Sequence, residues 1–178
     1  AGASVDARDH AGRTSTSIAA AADGADIIKL LAGHRADINT QDAEGLTPVA
    51  IAAAGDHRKA LIALLNARAE PNRATKSGNT ALMLASQRGY LEAVRILVGA
   101  RVSLDARNSL GNTALHLATQ NQHLAIVRQL LAAGANPRAM NNNHQSPADI
   151  AGITGNPALV DIYRQTATSS NWWSELFR

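Results

Sequence analysis

A glycine returns every 33 residues, at Gly12, Gly45, Gly78 and Gly111, and His144 falls at the next step. Two residues after each stands a hydroxyl: Thr14, Thr47, Thr80, Thr113 and Ser146. The segments around them read DHAGR (9–13), DAEGL (42–46), TKSGN (75–79), NSLGN (108–112) and NNNHQ (141–145). Five units in unbroken register restrict the chain to a repeat architecture, in which each unit is one supersecondary element that touches only its neighbours.

One unit, residues 111–135 (GNTALHLATQNQHLAIVRQLLAAGA), shows the local physics. Gly111 supplies a permissive turn. Thr113 is placed to cap a helix by accepting from backbone amides of the first turn. In two units proline follows, as Thr47-Pro48 and Ser146-Pro147, which suits the first helical position. A short helix places Leu115, Leu117 and Ala118 on one side, a break is expected at Asn121 and Gln122, and a second helix carries Leu124, Val127, Leu130 and Leu131 at helical spacing. Gly134 ends it. Helices of two or three turns do not hold alone in water, so neighbouring units must bury the apolar stripes. Hydrophobic residues make up 46% of the chain, but much of that is alanine, which predicts a thin core of closely approaching helices.

Composition narrows the chemistry. There is no cysteine, so disulfides, thiolate metal sites and thiol catalysis are excluded. No apolar run has the length of a membrane span. Net charge is +3, mild for a nucleic-acid binder. Lys29, Lys59 and Lys76 are the only lysines; the arginine bias reads as a GC-rich bacterial genome.

The stretches TPVAIAAAGDH (47–57), TALMLASQRGYLEAVRILV (80–98) and TALHLATQNQHLAIVRQLL (113–131) carry a family resemblance. They are similar to the T-P-L-H-x-A and helix–turn–helix pattern of ankyrin repeats. The resemblance covers residues 2 to about 167 and implies an all-α solenoid of stacked helix–turn–helix units with short β-hairpin loops. The expected repeats lie near 9–41, 42–74, 75–107, 108–140 and 141–167, within a domain spanning 1–168. Residues 169–178 form a separate aromatic tail. Three departures stand out. Ser15, Thr16 and Ser17 in the first unit replace apolar residues such as Val49, Leu82 and Leu115, so its first helix is expected to be loosely held. The fifth unit has His144 for glycine, Asp149 where His116 sits, and Pro157 near its second helix, as in a terminal unit. Residues 1–8 match the end of a unit, as at 36–39, which predicts at least one further helix or unit upstream.

No phosphate-cradling loop, G-x-G-x-x-G, H-E-x-x-H or G-x-S-x-G elbow is present. His10, His34, His57, His116, His123 and His144 are scattered over different units, without ligand spacing. The resemblance gives His116 a structural role, bonding the adjoining turn. Asp149 and Asp161 lie in different helices without a partner base. No enzyme, metal, cofactor or small-molecule substrate is expected.

The resemblance implies protein–protein recognition through the hairpin tips and the concave face of the first helices. The module would serve as an adaptor, inhibitor or regulatory protein. The alternative is a recognition domain trimmed from a larger protein or effector whose catalytic part lies elsewhere. The candidate contacts are Arg13, Glu44, Leu46, Lys76, Asn79, Arg88, Arg107, Leu110, Asn112 and Gln120. Between Pro71 and Pro147 the acids are Glu92 and Asp105 against eight basic residues, so an acidic protein surface is the expected partner. Nucleic acid is disfavoured by the lack of stacking aromatics in the groove. Leu46 and Leu110 read as exposed tip anchors or as supports of the turn. Trp172, Trp173 and Phe177, in the tail SSNWWSELFR, read either as a helix sealing the last unit over Ile150, Leu159, Ile162 and Tyr163, or as a docking and self-association peptide on a linker at 167–170. Both the bacterial cytoplasm and the periplasm fit.

Overall fold

The computed structural model describes the backbone of residues 4–170 and the side chains of residues 4–166. Ten helices and no strand occur among them. They alternate as first and second helices of five units: α1 (Ser15–Ala21) and α2 (Ala25–Gly33), α3 (Pro48–Ala54) and α4 (Arg58–Asn66), α5 (Ala81–Arg88) and α6 (Leu91–Gly99), α7 (Ala114–Gln120) and α8 (Leu124–Ala132), α9 (Pro147–Thr154) and α10 (Pro157–Ser170). First helices pack on first helices and second on second, giving two parallel layers.

Each first helix starts as the hydroxyls require. Thr14, Thr47, Thr80, Thr113 and Ser146 are extended, and each side chain accepts from the amide three residues on. The turn to the second helix passes through a left-handed residue at Asp23, Asp56, Gly89, Gln122 and Gly155. Gln122 confirms the break expected there. A second left-handed series ends the outer helices at Arg35, Arg68, Arg101 and Gly134, so arginine fills the place of Gly134 in three units.

The core is thin. Alanines 20, 52, 53, 60, 85, 93 and 118 are fully buried, interleaved with Ile28, Leu61, Leu64, Leu97, Leu115 and Leu130. In α1, Thr16 and Ser17 are buried rather than loose, and the cost appears as a Thr16 hydroxyl with no hydrogen-bond partner. Ile150, Leu159, Ile162 and Tyr163 are buried, because α9 packs back on α7 and α10 on α8. The Thr119 hydroxyl donates to the Leu115 carbonyl (2.8 Å) and accepts from the Tyr163 hydroxyl (2.5 Å), tying α10 to α7. Burial pushes the Tyr163 hydroxyl well above its usual range. The helix α10 runs through Ser170, so 167–170 is helical, where the docking-peptide alternative had a linker. Trp172, Trp173 and Phe177 lie outside the described residues.

Candidate recognition surface

The tips are hairpin turns closed by their first residue. Asp9 Oδ1 accepts from the amides of Ala11 and Arg13, both at 2.9 Å. Asp42, Asn108 and Asn141 repeat the pattern, and the Thr75 hydroxyl takes the second of its bonds. Successive tips are joined by one backbone bond each: Ala43 to Ala11 (2.9 Å), Lys76 to Glu44 (3.2 Å), Ser109 to Ser77 (3.1 Å) and Asn142 to Leu110 (3.0 Å), amide to carbonyl. This close approach explains the periodic glycine. A Cβ on Gly45, Gly78 or Gly111 would lie 2.8 Å from the next tip's amide nitrogen. His144, also left-handed at φ 57°, faces no further tip among the described residues.

This ladder consumes several candidate contacts. Arg13 is paired with Asp9 at 2.8 Å and hydrogen-bonds it, holding that carboxyl below its ordinary range. Arg107 donates to the Gly111 carbonyl (3.2 Å) and to Asn142 Oδ1 (3.4 Å). Asn79 and Asn112 accept from Asn108 and Asn141 of the next tips. Their side chains brace the array. Leu110 is 67% exposed in the tip that also carries Arg107 and Asn112, and Gln120 is exposed at the end of α7.

Four candidates come together. Glu44, Leu46, Lys76 and Arg88 line a cavity of about 300 Å³ where the second and third tips meet α3 and α5, with Ala54, Thr75, Ser77 and Leu84. Leu46 is half-buried, not exposed on a tip. It forms an apolar floor with Ala54 and Leu84. Lys76 and Arg88 are exposed and make no ion pair or side-chain hydrogen bond among the described residues. Sequence reasoning missed Ala54 and Leu84. The signal was in the register, since Ala54 stands where the next units carry Gln87 and Gln120, and the smaller side chain leaves the space.

The histidine reading holds for His116. The amide of Thr113 donates to its Nδ1 (3.1 Å), so that nitrogen is unprotonated, and Nε2–H donates to the Gln145 carbonyl in the adjoining tip (3.0 Å). Burial, with the Arg107 charge as a smaller cause, lowers its pKa and keeps the ring neutral. His123 reaches the Gln87 carbonyl of the preceding unit at 3.1 Å. Asp149 caps α9, its carboxylate accepting from the Ser146 amide (2.8 Å) and hydroxyl (2.6 Å). Among the described residues no three metal-ligating side chains come together, and no helix is long and apolar enough to cross a membrane.

Comparison with known proteins agrees with the periodicity. The family model described as ankyrin repeats (3 copies) matches residues 16–108, and a single ankyrin repeat matches 110–142. No curated protein matches the chain. With caps, turns, tip ladder and two helix layers repeated at 33 residues, and family matches over most of its length, the chain belongs to the ankyrin-repeat family.

Proposed function

We propose that this chain is a non-catalytic recognition module whose contact centre is the cavity between the second and third tips, and that its partner is a protein with an acidic surface. Ankyrin repeats are generally protein–protein interaction modules, and the family is generally non-catalytic. The supporting observation is the pair of unpartnered cations, Lys76 and Arg88, on the rim of a floor made by Leu46, Ala54 and Leu84. An acidic side chain beside an aliphatic one fits this arrangement, the charge steering encounter and the aliphatic group desolvating the floor. The module acts by stoichiometric contact, as an adaptor, inhibitor or regulator.

The test uses partners captured from native lysate on parallel baits at low and high salt. Lys76→Glu combined with Arg88→Glu is expected to weaken capture at least tenfold at low salt and to flatten its salt dependence. Capture and salt slope equal to the unaltered bait refute the reading. A bait ending at Thr168 separates this surface from the tail, since a partner lost only with the tail assigns recognition to Trp172, Trp173 and Phe177.

A further inference from the structure

The last helix outgrows its counterparts. The helices α2, α4, α6 and α8 have nine residues each, and α10 has 14. After Ala132, where α8 stops, the chain turns away through the left-handed Gly134. The equivalent place in α10 is Gln165, and the helix continues past it to Ser170. Between the two helices lies a cavity of about 310 Å³, lined by Arg128, Leu131 and Ala132 on α8 and by Ile162, Gln165 and Thr166 on α10. Ile162 is buried, Leu131 half-buried and Ala132 exposed, so the floor is largely apolar. Arg128 is exposed at the rim and makes no hydrogen bond or ion pair among the described residues. Such a floor beside an unpaired guanidinium suits an aromatic ring, which buries its area on the aliphatic groups and offers its face to the cation.

The chain carries such rings close by. Trp172, Trp173 and Phe177 stand in NWWSELFR (171–178), whereas the remaining aromatics, Tyr90 and Tyr163, are half-buried and buried within the array. Ile162, Gln165 and Thr166 share one face of α10, and helical positions 169 and 170 continue that face, so the backbone leaves the helix on the side of the cavity. From Thr166 to Ser170 the helix rises about 6 Å. The two or three residues from Ser170 to the tryptophans reach about 7–10 Å, enough for a chain reversal to bring an indole back to the cavity. Glu175, the acid of this segment, has the charge that Arg128 lacks a partner for. The other open apolar surface, Ile18, Ile27 and Leu30 on α1 and α2, lies four helix packings away. At about 8–10 Å each these exceed the span of eight extended residues, about 28 Å.

We propose that residues 171–178 fold back on their own last unit and seat a tryptophan in the cavity between α8 and α10, with Arg128 against the ring and paired to Glu175. This groove is not the end flank of Ile150, Leu159 and Tyr163, which the array already buries. Tethering at Ser170 gives the tail a high effective concentration at the groove, which a second copy would have to match from solution. A partner that takes the tail must displace it from the groove, so its apparent affinity falls with the fraction of tail that is docked. The inference is independent of the Lys76 and Arg88 cavity, and either reading can fail alone.

Trp172 and Trp173 are the only tryptophans, so indole fluorescence of the full 178-residue chain reports the tail alone. The experiment compares its emission and acrylamide quenching with those of the free peptide SSNWWSELFR (169–178) over a range of protein concentrations. The expected result is emission to the blue of the peptide and weaker quenching, both independent of concentration. Ala132→Glu and Arg128→Glu, each at an exposed position, are expected to keep the circular dichroism of the parent and lose the blue shift. Adding Glu175→Arg to Arg128→Glu is expected to restore it. Emission equal to that of the peptide, or a blue shift that neither Ala132→Glu nor Arg128→Glu changes, overturns the proposal. A blue shift that appears only as concentration rises assigns the tail to a second copy and overturns it as well.

Discussion

Three arginines end outer helices in a conformation that disfavours them. Arg35, Arg68 and Arg101 have φ of 61°, 65° and 56°, and the equivalent residue of the fourth unit is Gly134 at φ 95°. The left-handed region costs an L-residue about 1–2 kcal/mol. Replacing each arginine by glycine releases that strain, loses about 0.5–1 kcal/mol through the greater freedom of glycine in the unfolded chain, and loses about 0.3 kcal/mol of cation–dipole attraction at an exposed helix end. The net is a gain of about 0.5 kcal/mol per site. All three side chains are exposed, and none makes a hydrogen bond or ion pair among the described residues, so no contact is lost. The sites are 33 residues apart and do not touch, so their effects should add, to about 1.5 kcal/mol for the triple variant. Urea unfolding followed by circular dichroism reads this as a midpoint shift of about 0.5–1 M, using a slope of about 2 kcal/mol/M. Gly134→Arg is the reverse control, expected to lose about 0.5 kcal/mol by the same terms. A triple variant no more stable than the parent, with Gly134→Arg neutral, would refute the strain argument.

Other perturbations test other layers of the fold. Thr16→Val removes the buried, unpartnered hydroxyl and is expected to raise stability by about 1 kcal/mol, read from thermal unfolding. Gly78→Ala puts a Cβ 2.8 Å from the Ser109 nitrogen, whereas Gly155→Ala, also left-handed at φ 66°, meets nothing within 4 Å. The first should cost at least about 2 kcal/mol and the second about 1 kcal/mol, and equal losses would show that the tip contact contributes nothing. His116 has a folded pKa lowered from 6.5. The unfolded chain therefore takes up its proton first as pH falls, and the contribution of the neutral ring is complete above about 6.5 and declines below it. Urea midpoints from pH 7.5 to about 5 should fall less steeply in His116→Gln than in the parent.

Local and periodic features were legible in the chain itself. Thr14, Thr47, Thr80, Thr113 and Ser146 cap the first helices, the Asn121–Gln122 break falls where expected, and His116 bonds the adjoining turn. A cap, a left-handed turn and an apolar stripe each depend on a few consecutive residues, and repetition at 33 residues multiplies a weak local signal into a strong one. The spending of side chains was not legible, because it depends on the atoms one unit away. Arg107 and Lys76 look alike on their tips, yet Arg107 is bound to Gly111 and Asn142 while Lys76 projects beside Arg88 over Leu46. Likewise Ile27 and Leu159 occupy the same place in the pattern, and only stacking leaves one exposed and buries the other. Sequence determines which residues can form each unit. The packing of one unit on the next decides which of their side chains remain for a partner, since burial and hydrogen bonding belong to the pair of surfaces and not to either alone.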